Sequence, residues 1–247
     1  MPKKITKYFS LPKTIFTSAL IFLVFSLSQM LVLGFFLVNE NKEINQIFLD
    51  QNLIESQAYN YINPISIFSS LFGILLIIFL AKYILISPNN SKIKLNQIIP
   101  IDFPPIKLIF FWVFILFGFS LLVSISSNWL GVFNETTFTN QILSNTNNIL
   151  LLFYGIGIVQ PIFEELLFRG LLFKGLYEHL GGAFTIIVTS ILFVIPHIQY
   201  DLSILLLVLF PNALILGLCR LKTKSLTIPI ILHCANNIFT LAIGIWN

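Results

Sequence analysis

The stretch "ILLLFYGIGIVQPIFEELLFRGLLF", Ile149 to Phe173, is apolar over a length that predicts a membrane-spanning helix. A bilayer core about 30 Å thick is crossed by roughly 20 apolar helical residues. Near its end the stretch carries three charged side chains, those of Glu164, Glu165 and Arg169. Charges at membrane depth are unfavourable unless they are paired or functional, so these residues are the first candidates for a site.

The rest of the chain has the same apolar character. Of its 247 residues, 57% are hydrophobic and 10% are charged, whereas soluble domains are about 25% charged. Backbone polar groups in lipid need partners within the protein, and no ten-residue alternation typical of a membrane β-barrel is present. We therefore predict an all-α, polytopic transmembrane helix bundle of about seven spans. The predicted spans are Thr14 to Val38, Ile65 to Ile86, Leu108 to Trp129, Ile149 to Phe173, Ala183 to Ile198, Leu202 to Leu221 and Leu226 to Trp246.

The basic residues predict the orientation of the chain. Of the 14 lysines and arginines, all except Lys42 fall on one side of the predicted spans. By the positive-inside rule that side is cytoplasmic, which gives an N-inside, C-outside chain in what we take to be a prokaryotic plasma membrane. Because the basic residues are dispersed between spans, they do not indicate a nucleic-acid partner. They are Lys3, Lys4, Lys7, Lys13, Lys82, Lys92, Lys94, Lys107, Arg169, Lys174, Arg220, Lys222 and Lys224.

The two adjacent glutamates are predicted to have different roles. Glu165 and Arg169 are four residues apart, so on a helix they meet on one face and form an ion pair. Glu164 points about 100° away and has no basic residue at helical spacing, which makes it the candidate general base. An alternative is that both glutamates lie at the cytoplasmic interface and are solvated.

Two further polar clusters lie in later spans. "FVIPH", Phe193 to His197, places a ring one helical turn before an imidazole, and "HCANN", His233 to Asn237, places an imidazole and an amide on one face. A single intramembrane histidine is more often a packing hydrogen bonder than a catalyst. Together with Glu164, however, these groups are what the addition of water to a carbonyl requires: a base, an imidazole and an amide donor. No GxSxG, HExxH, Walker or GxGxxG motif competes with this interpretation.

At these residues the chain resembles the CPBP family of CAAX-protease and bacteriocin-processing intramembrane peptidases, also called the Abi family. The family motifs EExxxR, FxxxH and HxxxN are matched in order by "EELLFR", "FVIPH" and "HCANN". Each motif alone is weak evidence, whereas the ordered set of three is specific. The resemblance covers Ile149 to Asn247, so we predict a catalytic transmembrane core at 149–247 after an N-terminal region of three spans and loops at 1–148.

The resemblance implies an α-helical endopeptidase whose active site opens toward the cytoplasm. Its substrates would be membrane-associated peptides or proteins, of CAAX or bacteriocin type, and its surroundings the lipid bilayer. The roles carried over are Glu164 with His197 for activating water, His233 with Asn237 for the oxyanion, and Glu165, Arg169 and Phe193 as structural residues around them.

Metal dependence is left open by the resemblance. Glu164, His197 and His233 would make a catalytic zinc set of two histidines and one glutamate. We favour the metal-free interpretation, in which no cofactor is needed, because Asn237 is a poor zinc ligand and a natural oxyanion donor. Depth counting at 1.5 Å per residue places Glu164 and His233 about 10 Å from the cytoplasmic face and His197 nearer 20 Å, so helix counting alone does not bring them together.

Two other functions fit parts of the sequence. One is a non-catalytic scaffold or regulator of the same fold that binds a partner membrane protein, and the loss of a motif residue would have favoured it. No motif residue is lost. The other is a small transporter that uses the buried charges as a proton path, but the absence of an internal repeat and of charges on several spans argues against it.

Overall fold

The computed structural model describes residues 10–39, 51–81, 95–130 and 137–246. Within these ranges the regular structure is helical and includes no β-strand, which confirms the all-α class. The helices are α1 Leu11–Asn39, α2 Gln51–Asn60, α3 Ile62–Leu80, α4 Leu95–Ile98, α5 Ile106–Leu130, α6 Thr137–Asn145, α7 Ile149–Tyr154, α8 Gln160–Glu165, α9 Phe173–Val194, α10 Leu202–Ile204, α11 Phe210–Thr223 and α12 Thr227–Trp246.

Six helical runs among the described residues are long and apolar enough to cross a membrane. Many of their large apolar side chains point outward, for example Leu31 and Phe114, which are 74% and 77% exposed. In a bilayer such side chains face lipid, as expected for an integral membrane protein. The six runs are α1, α3, the first 21 residues of α5, Ile149–His197, Leu202–Thr223 and α12 up to Ile245.

The run Ile149–His197 covers both the fourth and the fifth predicted span. Its 49 residues would rise about 70 Å as one straight helix, more than twice the bilayer core. The run is broken at Gly181, where φ is 73° and ψ is 178°, a conformation open essentially only to glycine. Gly181 therefore divides the run into two helical segments, 149–180 and 182–197. The count of seven spans and the N-inside orientation stay predictions.

Several of the basic residues that predict the orientation of the chain lie outside the described ranges. The same is true of the end of the second predicted span, residues 82–86, and of Asn134, the first residue of the asparagine-rich stretch Asn134 to Asn148. The basic residues concerned are Lys3, Lys4, Lys7, Lys42, Lys82, Lys92 and Lys94.

The described residues cluster into two compact units. The first unit contains the described parts of 1–19, 77–134 and 164–233, and the second those of 20–76, 135–163 and 234–247. The division into 1–148 and 149–247 stays a prediction. One core cluster of the first unit contains Trp112, Leu116, Leu216, Cys219, Ile228 and Leu232.

In the second unit, helices approach closely at glycines. A methyl group at Gly73 would come within 2.5 Å of the Phe163 ring, and one at Gly155 would overlap the side chain of Ser66. Small residues allow such close approach between membrane helices. A core cluster of this unit contains Ile142 of α6, packed with Leu152 and Leu241.

The beginning of α12, which carries His233, is fixed by polar contacts within the first unit. The hydroxyl of Ser225 donates to the carboxylate of Asp102 and accepts the backbone N–H of Thr227 at 3.1 Å. The N–H of Leu226 donates to the carbonyl of Pro100 at 2.9 Å. These bonds satisfy groups that a helix N-terminus leaves unpaired and attach the loop before α5 to the start of α12.

Candidate active site

Glu165 is the centre of a buried cluster in the first unit. Its Oε1 lies 3.3 Å from Nη1 of Arg169, the ion pair that the i,i+4 spacing predicts. The same oxygen lies 2.9 Å from Nδ1 of His233, a contact that the spacing did not predict. Glu165 and Arg169 are fully buried and His233 is 7% exposed. A single carboxylate therefore joins the first motif to the third.

These contacts determine which nitrogen of His233 faces the other glutamate. A carboxylate paired with arginine is an acceptor, so Nδ1 of His233 carries the proton donated to Glu165. Nε2 then faces Glu164, whose Oε2 lies 3.6 Å away. At this separation the imidazole and the carboxylate interact electrostatically, although the distance is longer than that of a hydrogen bond. Glu164 is itself buried, at 7% exposure.

His197 is fixed by its own chain. It ends the 3₁₀ turn Ile195–His197, and its Nδ1 lies 2.9 Å from the carbonyl oxygen of Phe193. Because a carbonyl only accepts, Nδ1 carries the proton and Nε2 is the acceptor of this ring. The ring stacks on Phe193 and on Tyr200, with centroids 5.1 and 6.4 Å apart. The pairing of His197 with Glu164 stays a prediction, since the structure shows His197 against Phe193 and Tyr200.

The ring of Phe193 connects the three motifs. Besides stacking on His197, as its spacing predicts, it lies edge-on to His233 with centroids 5.5 Å apart. The guanidinium carbon of Arg169 lies 4.4 Å from its centroid, within the range of a cation–π contact. Phe168 packs edge-on at 5.5 Å. One aromatic side chain thus contacts two imidazoles and the arginine of the buried ion pair.

Asn237 lies one helical turn beyond His233 on α12, and its Nδ2 donates to the carbonyl of Ile156 at 3.0 Å. Ile156 belongs to the π-helical segment Gly155–Val159, where the N–H of Gln160 donates to Gly155 instead of Ile156. The next donor in that register would be residue 161, which is proline and has no N–H. The Ile156 carbonyl is therefore open to Asn237, whose amide keeps a second N–H. The oxyanion role of Asn237 stays a prediction.

The three candidate zinc ligands do not form a ligand set in this arrangement. Among the residues that the structure describes, no three His, Cys, Asp or Glu side chains are grouped so that they could hold a metal ion. Nδ1 of His233 is engaged by Glu165 and Nδ1 of His197 by Phe193. The preference for a metal-free site, with a zinc site as the alternative, stays a prediction.

Arg220 is a residue at this cluster that the motif analysis missed. By its position between two predicted spans Arg220 is an orientation signal, whereas the structure buries it at 7% exposure within α11. Its Nε donates to the carbonyl oxygen of Arg169 at 3.0 Å. One feature of the sequence could have indicated that Arg220 is buried. It lies inside the apolar stretch Leu202 to Leu221 and not beyond its end.

Comparison with known proteins agrees with the motif pattern. Residues 146–239 match the family model described as type II CAAX prenyl endopeptidase Rce1-like. The chain is 32% identical over 124 residues to YdiL, a membrane peptidase by name, of Bacillus subtilis (strain 168). It is 25% identical over 214 residues to the membrane-embedded CAAX protease MroQ of Staphylococcus aureus (strain USA300). It is also 35% identical over 92 residues to an uncharacterized 24.3 kDa protein of Escherichia coli.

The extent of these matches differs. The YdiL match covers 50% of this chain and 50% of YdiL, and the MroQ match covers 81% of this chain and 85% of MroQ. The Escherichia coli match covers 35% of this chain and 41% of that protein. The chain thus spans about half the length of the first of these relatives. No solved structure matches the chain.

Proposed function

The chain belongs to the CPBP family, and on that premise we propose that it is an intramembrane endopeptidase that hydrolyses peptide bonds of membrane-associated substrates. The observation that carries the proposal is the contact between Glu164 and His233. Nε2 of His233 lies 3.6 Å from Oε2 of Glu164, and the other side of the ring is held by Glu165. A carboxylate beside an oriented imidazole is suited to general acid–base catalysis.

The proposed reaction starts with Glu164 as a carboxylate and with a proton on Nε2 of His233. In this state Glu164 can accept a proton and His233 has one to give.

Hydrolysis then follows in two steps. Glu164 takes a proton from water while the oxygen of that water bonds to the peptide carbonyl carbon, forming a tetrahedral oxyanion. The oxyanion collapses, the C–N bond breaks, and the leaving nitrogen takes a proton from His233, after which Glu164 returns its proton to His233. One water is consumed, and a carboxyl and an amine are formed. His197 would orient the water through Nε2, and Asn237 would donate its second N–H to the oxyanion.

The substrate class and the side of the membrane are part of the proposal. The names of the matched family and of MroQ refer to CAAX proteases, which favours cleavage near the membrane-anchored end of a protein. Bacteriocin-type peptides are the other class that the family includes. We place the active site on the cytoplasmic side, because the basic residues collect there.

The proposal is tested by comparing cells that make the wild-type protein with cells that make Glu164→Gln. Membrane proteomes and released peptides should differ by one or a few substrates, which appear cleaved only with the wild type. If the peptide profiles are identical and both forms complement a deletion strain, the non-catalytic scaffold or regulator is the better interpretation.

The orientation predicts which side each loop faces. Single cysteines placed at Asn39, the last residue of α1, and at Asn145, the last residue of α6, should react with a membrane-impermeant thiol reagent added outside intact cells. The native Cys219 and Cys234 should first be changed to serine. Labelling of both positions only after the membrane is opened would reverse the proposed orientation.

Oxyanion and metal chemistry predict different behaviour for Asn237. If Asn237 donates to the oxyanion, Asn237→Ala should bind substrate normally and turn it over about 100-fold to 1,000-fold more slowly. Chelation should then leave the wild type active. If zinc is the electrophile, exhaustive chelation should abolish activity, added zinc should restore it, and Asn237→Ala should have a much smaller effect.

A further inference from the structure

Arg220 is a buried cation outside all three motifs. Its guanidinium carbon lies 5.5 Å from the centroid of the Phe173 ring, and its Nε donates to the backbone carbonyl of Arg169 at 3.0 Å. Both contacts lie in the first unit and both are directed at the chain segment that carries the glutamate motif. Through these contacts, an influence of Arg220 on His233 would pass through Arg169.

The carbonyl that Arg220 contacts is made available by the local helix geometry. Arg169 lies in the π-helical segment Leu166–Leu172. In an α-helix the N–H of Phe173 would donate to the carbonyl of Arg169, four residues earlier. Here that N–H donates to the carbonyls of Phe168 and Gly170. The Arg169 carbonyl thus lacks its α-helical donor, and Arg220 provides one from α11.

A second hydrogen bond joins the same two segments in the opposite direction. Nη2 of Arg169 donates to the carbonyl of Ala213 on α11 at 3.1 Å. Ala213 and Arg220 are seven residues apart, two helical turns, and so lie on one face of α11. The two arginines therefore each donate to a backbone carbonyl on the other's segment, and each bond limits movement of the other.

We propose that Arg220 is a positioning residue for the candidate active site. It holds the Arg169 backbone, so that the Arg169 side chain stays on Glu165 and Glu165 keeps the His233 ring turned toward Glu164. The catalytic part of this inference rests on the proposed function, whereas the orientation of His233 does not. Lysine should replace Arg220 poorly, because an ammonium at the end of a flexible chain cannot both donate from the Nε position and lie flat on Phe173.

The test compares Arg220→Met and Arg220→Lys with Lys222→Met. Lys222 is exposed and lies on the same helix, so its variant removes one positive charge from the same end of α11 without touching the cluster. Each protein is labelled with ¹⁵N-histidine in lipid nanodiscs, and the ring-nitrogen signals of His233 are assigned with a His233→Gln variant. Cleavage is measured in parallel.

The His233 signals should shift in Arg220→Met, shift less in Arg220→Lys and match the wild type in Lys222→Met. Turnover of Arg220→Met should fall between tenfold and a hundredfold with KM unchanged, as expected when a catalytic group is misplaced and substrate binding is intact. Lys222→Met should cleave like the wild type.

Unchanged His233 signals in Arg220→Met would overturn the proposal, whatever the cleavage rate. If Arg220→Met does not fold, unchanged signals in Arg220→Lys would overturn it equally. A wild type that cleaves no peptide would contradict the proposed function, and the His233 signals would still decide whether Arg220 positions the ring.

Discussion

Glu164→Gln is expected to fold like the wild type and to lose about 100-fold to 10,000-fold in turnover, the usual contribution of a positioned general base. Glutamine keeps the size and a hydrogen-bonding oxygen but takes no proton from water. The fold should tolerate it, because Glu164 is not part of the Glu165–Arg169 ion pair. Turnover is measured with the purified protein in nanodiscs and a substrate found by the peptide comparison.

The matched control is Glu178→Gln. Glu178 is also buried, at 6% exposure, but its ion-pair partner is Lys174, 3.4 Å away and outside the motif cluster. Glu178→Gln should therefore cleave at close to the wild-type rate. Near-normal cleavage by Glu164→Gln would disprove the assignment of the base.

Arg169→Leu should sharply reduce the amount of folded protein. Glu165 is fully buried, and removing one partner of a buried ion pair typically costs about 3 to 5 kcal/mol, since the other charge is left uncompensated. The loss is measured as the fraction of monodisperse protein extracted from membranes and as the midpoint of thermal unfolding. Lys222→Met, which removes an exposed charge on α11, should cause little change.

The double variant Glu165→Leu/Arg169→Leu separates stability from chemistry. With both charges removed, stability should return toward the wild type, because apolar residues often replace a buried pair without loss. Cleavage should stay low, because His233 then has no acceptor on Nδ1 to orient its ring. A double variant that is stable and fully active would show that Glu165 has no role in orienting His233.

The helical fold and one ion pair were accessible from the sequence because both are local properties. Apolar length predicts a spanning helix, and the i,i+4 rule places Arg169 beside Glu165 on one helix. The bond between Glu165 and His233 joins residues 68 positions apart, and that between Arg220 and Arg169 joins residues 51 apart. Such contacts depend on which helix faces which, and hydrophobic periodicity does not contain that information.

Two expectations from the sequence did not include the local backbone geometry that the structure shows. Depth counting separated His197 from the other motif residues, yet the Phe193 ring that packs on His197 also lies 5.5 Å from His233. Counting had assumed a straight helix from Ala183 to His197, whereas the chain ends in a 3₁₀ turn at Ile195–His197. By composition the segment Asn134 to Asn148 is expected to be a polar external loop; the structure forms a short helix within it, Thr137–Asn145, whose Ile142 is buried.

The break at Gly181 also affects how the chain can change in length during evolution. In the helix after Gly181, each inserted or deleted residue rotates everything beyond it by about 100° and shifts it by 1.5 Å. An insertion between Ala183 and Phe193 would therefore carry the Phe193 ring away from Arg169 and His233. A residue inserted in the non-helical turn at Gly181 does not have to follow the rotation of a continuous helix. Related chains should accordingly vary in length at this turn and keep a constant number of residues from Ala183 to His197.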